Sequence, residues 1–273
     1  MNYAFYGCSN LEIILPDNIS IIGKDALTNV KKVRANRGTK TPLAIWNSGY
    51  ENYIYYVDKE NFIFLAPELK ATKITQTTVT WTLENASSGY QYYINEIAIT
   101  GTSYSETVTG LRPELWVKSP YLKVTLDDVT YTKSFSVQTD KLNVRVNNTN
   151  TTASSISLKG AYLKGDAEIE SVSLSLLNVN GKTVNVDSAL FTGLYPGGSY
   201  TAKYVVKVKY GNNQTYDYTA TETIKTAALT MTTAQPKVVS EGNAIIAADT
   251  NLDDAETNVG FEWRREDWSS TFA

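Results

Sequence analysis

The sequence predicts a mainly β chain of several domains, a short repeat region followed by tandem β-sandwiches. Three observations carry this reading. The length of 273 residues suggests two or more domains, and a content of 42% hydrophobic and 19% charged residues is that of a folded protein. Near the start the chain repeats itself: a shift of 22 residues lays Ala4 on Ala26, Phe5 on Leu27, Cys8 on Val30 and Leu11 on Val33. That period lies within the roughly 20–29 residues of leucine-rich repeats, which stack into solenoids. From Pro67 onward the texture changes to short alternating runs of Thr, Val, Tyr and Ile bounded by Gly, Asn and Asp, the mark of an all-β sandwich.

Residues 1–40 form the repeat region. Its signature is Ala4-Phe5-Tyr6-Gly7-Cys8-Ser9-Asn10-Leu11, followed by Pro16-Asp17-Asn18-Ile19-Ser20-Ile21-Ile22-Gly23-Lys24-Asp25-Ala26-Leu27. These residues resemble the leucine-rich repeat of BspA-type bacterial surface proteins, A-F-x-G-C-x-x-L and then P-x-x-V-x-x-I-G-x-x-A-F. One residue fewer than the family pattern between Leu11 and Pro16 leaves the phase of the first strand open. The second copy dissolves into Lys31-Lys32-Val33-Arg34-Ala35-Asn36, as a terminal repeat with a polar outer face would. The resemblance implies the last turns of a solenoid whose earlier turns lie outside this sequence, and adhesion or ligand recognition by its face. Residues 41–66, with Leu43-Ala44-Ile45-Trp46 and the tyrosine-rich 52–57, read as cap and connector.

Residues 67–139 are expected to form a first sandwich. In Thr78-Val79-Thr80-Trp81-Thr82-Leu83 the period of two puts Val79, Trp81 and Leu83 on one face. Further strands are expected over Leu115–Leu126 and Thr130–Gln138. Residues 140–227 repeat the plan, with strands over Thr201–Tyr210 and Thr215–Lys225 and an Asn180-Gly181 hairpin signal. Gly110-Leu111-Arg112-Pro113 and Gly193-Leu194-Tyr195-Pro196-Gly197-Gly198-Ser199-Tyr200 are similar to the G-L-x-P-x-x-x-Y corner of fibronectin type III domains. Pro67-Glu68-Leu69-Lys70-Ala71 with Thr78–Trp81 resembles the opening of that fold. The fold class is therefore the end of a leucine-rich-repeat solenoid followed by tandem fibronectin type III/immunoglobulin-like β-sandwiches. The resemblance implies that the Tyr200 hydroxyl satisfies backbone upstream while its ring fills the core; Val117 occupies the slot in the first sandwich. Each of these two sandwiches is expected to fold without the repeat region.

Residues 228–273 read as a partial third sandwich. Leu163-Lys164-Gly165-Asp166-Ala167-Glu168 before Val172-Ser173-Leu174 parallels Leu252-Asp253-Asp254-Ala255-Glu256 before Val259-Gly260-Phe261-Glu262-Trp263-Arg264. Strands are expected over Ala244–Ala248 and Val259–Arg264, in a segment less ordered than the rest.

The chemistry is bounded by what is scarce. A net charge of −3 leaves no basic footprint for nucleic acid. No apolar run approaches the roughly 18 residues of a membrane helix, and Met1–Phe5 has no signal-peptide pattern. With no histidine and one cysteine, a Ser-His-Asp triad, a Cys-His pair and a histidine-bearing zinc site are excluded. Cys8 is expected to be a small buried apolar residue.

Four features bear on binding. The loop Asp249–Glu256 carries oxygen ligands for calcium but lacks EF-hand spacing, so a solvated turn is the simpler reading. Tyr53 with Tyr55, and Tyr216 with Tyr218, place aromatic rows that would stack on sugars or merely brace a sheet. The acids Asp127-Asp128 and Glu262 with Glu266 are paired, as glycosidases need, without a cleft in evidence. Sequons fall at Asn18, Asn85, Asn147, Asn150 and Asn213, and Asp187-Ser188-Ala189 resembles the O-glycosylation acceptor of Bacteroides-type bacteria. No catalytic, cofactor-binding or metal residue is assigned, and no cofactor. The expected partner is a protein or glycan ligand, with no nucleic acid and no membrane span.

The expected function is a non-catalytic piece of a bacterial cell-surface or secreted protein, recognising a ligand and carried on a β-sandwich stalk. The alternative is an accessory region of a secreted polysaccharide-degrading enzyme whose catalytic domain lies elsewhere.

Overall fold

A computed structural model describes residues 2–50, 54–57, 63, 65–177, 183–233, 237–240, 243–245 and 248–251. Its contacts divide the chain into two units. One holds Met1–Leu142 with Lys164–Glu168 and Lys209–Gln214; the other holds Asn143–Leu163, Ile169–Val208 and Thr215–Ala273.

The first unit begins with strands β1 (Glu12–Ile14) and β2 (Lys32–Ala35), helix α1 (Lys40–Asn47) and strand β3 (Ile54–Tyr56). The three strands lie parallel in the order β1-β2-β3, with Glu12 opposite Lys32 and Val33 opposite Ile54. Upstream of the strands the chain forms stacked coils, where the Phe5 N–H donates to the Ala26 carbonyl at 2.9 Å and the Gly7 N–H to that of Thr28 at 3.0 Å. The ladder pairs Ile13, not Leu11, with Val33. Letter identity favours the 22-residue shift, but the register is set by which side chains turn inward. Leu15 is buried and Ile13 half-buried on β1 and its end, as Val33 and Ala35 are buried on β2. Cys8 is exposed, against expectation. It lies on the coil of the edge strand, covered on one side only, whereas its counterpart Val30 in the next coil is buried.

Helix α1 has only 8 residues, too few to persist alone, and burial makes up the difference. Pro42 sits in the first turn, where a missing N–H costs nothing. Thr41, Leu43, Ala44, Ile45 and Trp46 are all buried. The Thr41 hydroxyl donates to the Pro16 carbonyl and accepts from the Ile19 N–H, which ties the helix to the coil before it.

Nine strands follow: β4 (Glu68–Ile74), β5 (Val79–Glu84), β6 (Gln91–Ile94), β7 (Ile97–Ile99), β8 (Ser105–Val108), β9 (Trp116–Lys118), β10 (Leu122–Leu126), β11 (Val129–Lys133) and β12 (Ser136–Gln138). They form a three-stranded sheet β4-β5-β8 and a four-stranded sheet β11-β10-β6-β7, plus the pair β12-β9. This three-on-four arrangement is that of a fibronectin type III-like sandwich. Val79, Trp81 and Leu83 point into the core as the alternation predicts. The strand expected over Leu115–Leu126 is broken in two. Pro120 has no N–H to give a ladder, and Ser119 bridges the gap: its N–H donates to the Phe135 carbonyl and its hydroxyl accepts from the Phe135 N–H.

The N-terminal coils and the first sandwich share one core, running from Leu15 to Tyr131. Helix α1 packs on β10 and β11. The Trp46 ring lies 6.0 Å from that of Tyr131 and 6.2 Å from that of Tyr90. At the rim, Lys40 Nζ stands 2.6 Å from Asp128 and 3.3 Å from Asp127. Independent folding of this sandwich therefore does not follow from its complete strand set, because part of its core is supplied by residues 15–54.

The second sandwich is formed by β13 (Arg145–Thr151), β14 (Ile156–Ala161), β15 (Glu168–Leu177), β16 (Thr183–Val184), β17 (Ser188–Phe191), β18 (Ser199–Tyr210) and β19 (Gln214–Lys225), all but the ends of β15, β18 and β19 belonging to the second unit. The sheets are β13-β14-β17 and β16-β15-β18-β19, again three on four. Along β18, Tyr200, Ala202, Tyr204, Val206 and Val208 are buried with period two. Gly160 on β14 faces the Tyr204 ring, so close that a Cβ there would sit 2.3 Å from it. The Asn180-Gly181 signal lies outside the described residues, although β15 and β16 on either side pair antiparallel.

Strands β20 (Met231–Thr233), β21 (Lys237–Ser240), β22 (Asn243–Ile245) and β23 (Ala248–Thr250) complete the chain's described part, pairing as β20-β23 and β21-β22. The strand expected over Ala244–Ala248 thus falls on two short strands with 246 and 247 outside the described residues. The strand expected over Val259–Arg264 also lies outside them.

Candidate functional site

One polar structure is built twice, around the first turn of each sandwich. Between β4 and β5 the Thr75 hydroxyl accepts from the N–H groups of Thr77 and Thr78 and pairs with the Thr78 hydroxyl at 2.8 Å. Between β13 and β14 the Thr152 hydroxyl does the same with Ser154, Ser155 and the Ser155 hydroxyl at 2.7 Å. These residues favour such turns because their hydroxyls satisfy backbone two or three positions on.

Each turn is fastened to its corner. The Leu111 N–H donates to the Thr77 carbonyl, and the Leu194 N–H to that of Ser154. Glycine precedes each leucine at φ +70, a left-handed conformation that a side chain would strain. A buried threonine then closes the far strand: Thr139 donates to the Arg112 carbonyl at 2.8 Å and Thr226 to the Tyr195 carbonyl at 2.6 Å.

Tyr200 performs the role its motif implied. Its ring is buried and its hydroxyl accepts from the Tyr195 N–H at 2.7 Å. In the first sandwich Val117 is only half-buried, and a different tyrosine anchors backbone. The Tyr92 hydroxyl on β6 accepts from the Ser87 N–H at 2.8 Å and donates to the Ser87 carbonyl at 3.0 Å. Burial, opposed in part by the Ser87 backbone bond, pushes the Tyr92 hydroxyl above its ordinary pKa. No corner motif marks Tyr92. The buried threonines were accessible, since Thr139-Asp140-Lys141-Leu142 and Thr226-Ala227-Ala228-Leu229 share T-x-x-L at the end of each sandwich.

The turn of the first unit also receives a carboxylate. Asp166 accepts from the hydroxyls of Thr75 and Thr77, both at 2.5 Å, and from the Gln76 N–H at 2.9 Å. Burial raises its pKa, but donation from Thr75, Thr77 and the backbone outweighs this and holds the carboxyl below its ordinary value of 3.8. Gln76 completes the contact: its amide donates to the Lys141 carbonyl, and its oxygen accepts from the Ala167 N–H. Gly165 lies close against this amide: a Cβ there would be 2.4 Å from the Gln76 side chain, which would have to shift.

Some of the other candidates have structural partners, some are exposed, and some lie outside the described residues. Asp127 and Asp128 serve the Lys40 ammonium, which raises the Lys40 pKa and lowers that of Asp128. Tyr216 and Tyr218 touch edge to face with centroids 5.1 Å apart, Tyr218 being buried. Tyr55 carries the Lys32 ammonium over its ring at 4.7 Å; Tyr53 lies outside the described residues. The five sequon asparagines are exposed, with Asn85 also donating to the Ala66 carbonyl. Ser188 is exposed on β17, whereas Asp187 accepts from the Tyr204 hydroxyl at 2.5 Å; burial first, and then this carboxylate, pushes the phenol well up. In the loop Asp249–Glu256, Asn251 bonds the Thr230 N–H and the Ala228 carbonyl, and Leu252–Glu256 lie outside the described residues, as do Glu262 and Glu266. Among the described residues no three Asp, Glu or Cys side chains gather as a metal site would require. No described helix is long and apolar enough to cross a membrane.

A shallow groove of about 450 Å³ opens beside β6 and β7, lined by Ser88, Tyr90, Gln91, Ile99, Thr100 and Thr102 among others. No lining side chain is a carboxylate, ammonium or guanidinium. The groove offers hydroxyl, amide and aromatic contacts, and no acid–base pair.

No protein-family model matches the chain, and no curated protein does. Solved structures similar to it include a two-domain fibronectin type III segment of chicken tenascin, 15% identical, covering 59% of this chain and 99% of that one at a TM-score of 0.29. Others are the central fibronectin III array of RIM-binding protein, 14% identical over 67% and 78% at 0.24, and the FN1–FN3 domains of chicken CNTN1, 12% identical over 60% and 67% at 0.22.

Proposed function

We propose that this chain is a non-catalytic, ligand-displaying segment of a bacterial surface or secreted protein. In this reading the N-terminal coils are the end of a BspA-type leucine-rich solenoid, and the sandwiches are its stalk. Fibronectin type III-like domains commonly serve as non-catalytic adhesion or stalk modules. The observation that carries the proposal is the shared core of coil and sandwich. Leu43, Ile45 and Trp46 are at most 1% exposed, so a coil holding a ligand is joined to the first sandwich by packed side chains and not by a free linker. Among the described residues, Lys32, Arg34 and Tyr55, with Glu12 beside Arg34 at 3.6 Å, give the parallel sheet's face charge and aromatic character. A protein or glycan ligand fits that surface.

The test uses the whole chain on beads, presented to immobilised matrix proteins and mucin-type glycans, with a parallel assay for sugar release from polysaccharides. Saturable binding to at least one surface, lost on Tyr55→Ala, and no sugar release are expected. Sugar release, or no binding to any surface, would overturn the proposal.

A further inference from the structure

We infer that the groove beside β6 and β7 is a subsite for an uncharged sugar ring, separate from the parallel sheet and independent of the role proposed for it. The lining is of two kinds. The hydroxyl residues Ser88, Thr100 and Thr102 are exposed along it, and among the described residues none of the three hydroxyls takes a hydrogen-bond partner. The Tyr90 ring, Ala98 and Ile99 supply apolar surface. A pyranose is divided in the same way, with C–H groups on its faces and hydroxyls around its rim. Serine and threonine suit that rim because each hydroxyl both donates and accepts, as the sugar's own do. The groove's volume of about 450 Å³ falls within the roughly 300–1,000 Å³ of small-ligand sites.

The lining is held in place before any ligand arrives, which lowers the ordering cost of binding. The Gln91 amide nitrogen donates to the Tyr92 carbonyl at 3.3 Å and to the Ile99 carbonyl at 3.1 Å. Its side chain is thus pinned across β6 and β7, and its carbonyl oxygen is the group left to accept from a ligand. Trp46 and Tyr92 brace the Tyr90 ring edge to face, with centroids 6.2 and 6.5 Å away. Beside Ser88, the Gly89 backbone rests on that of Gly38, where a Cβ on Gly89 would lie 3.0 Å from the Gly38 Cα. Gly101, at φ +82, has nothing within 4 Å of where a Cβ would stand, so the backbone between Thr100 and Thr102 is open to a ring. Charge separates this ligand from others. No lining residue is ionic, so a charged ligand would give up hydration without a counter-charge. A peptide strand would instead pair with the backbone of β7, the outer strand of its sheet, and would not need the hydroxyls.

The test follows backbone amide resonances of the whole chain during titration with maltose, cellobiose, lactose and mannobiose. Glucuronate and an uncharged Ser/Thr-rich peptide serve as controls. At least one disaccharide should move the amides of Ser88, Gln91, Thr100 and Thr102 saturably at millimolar concentration, and neither control should. Ser88→Ala combined with Thr100→Val removes two hydroxyls at exposed positions and should weaken binding about tenfold or more with melting unchanged. Tyr55→Ala should leave the shifts in place, so this site and the parallel sheet stand or fall separately. The proposal is overturned if no disaccharide moves those amides, if glucuronate or the peptide moves them as strongly, if the double variant binds as well as wild type, or if Tyr55→Ala abolishes the shifts. Should the double variant melt earlier than wild type, Thr102→Val decides in its place by the same criterion.

Discussion

Single hydroxyls anchor backbone in both units, and their energies are separable. Tyr200→Phe leaves the Tyr195 N–H without its acceptor in a buried setting and should cost roughly 1–3 kcal/mol in denaturant melts. Tyr92→Phe should cost more than Tyr200→Phe, because Ser87 loses a partner for both its N–H and its carbonyl. A neutral Tyr200→Phe would remove the corner from this account. Asp166 makes a pH prediction whose sign is fixed. Its carboxyl is held below 3.8 in the folded state, so the contribution is present above that value and is lost as pH falls through the lower, folded pKa. Protection of the Gln76 amide relative to its intrinsic exchange rate should therefore fall below about pH 4, and this loss should be absent in Asp166→Asn. Of these residues only Tyr200 was legible as an anchor, since a spaced motif named it. Tyr92 was hidden because its partner is backbone five residues upstream, at a position any residue could occupy.

Strands with clean alternation were the easiest elements to place from sequence, β5 and β18 above all, because a period of two states which face is buried. The interruption between β9 and β10 was not drawn, although Pro120 announces it. Seen alone, Leu115–Leu126 is apolar enough to pass as one strand. The phase of the first strand in the parallel sheet was left open for a related reason: repeated letters do not say which residues face inward. Gly160 on β14 shows what a strand glycine can signify. Its lack of a side chain admits the Tyr204 ring between the sheets, and Gly160→Ala should destabilise the second unit by about 1–3 kcal/mol through overpacking. Equal melting of wild type and Gly160→Ala would contradict the face-to-face contact. Helix α1 behaves in the opposite sense, as a filler from outside the sandwich. Trp46→Ala should cost about 3–5 kcal/mol, the usual loss for a fully buried tryptophan.

At the scale of the whole chain, the β-sandwich texture was legible and the packing between distant segments was not. Composition and turn signals marked two sandwiches, but nothing in the sequence of residues 67–139 shows that Trp46 and Ile54 help fill the core beneath Trp81 and Tyr131. Contacts between distant segments leave no periodic trace. The ion pairs of Lys40 with Asp127 and Asp128 add orientation at the exposed rim and should weaken with salt, whereas the apolar core beneath them should not. The central claim is that coil, helix and first sandwich are one folding unit, and it is tested most directly by native-state hydrogen exchange on the intact chain. Amides of α1 at Ile45 and Trp46 and those of β5 and β11 should open with the same free energy, and Trp46→Ala should lower all of them together. Opening of α1 well below the energy of β5 and β11, with β5 and β11 unmoved by Trp46→Ala, would contradict the claim and restore the first sandwich as an independent domain.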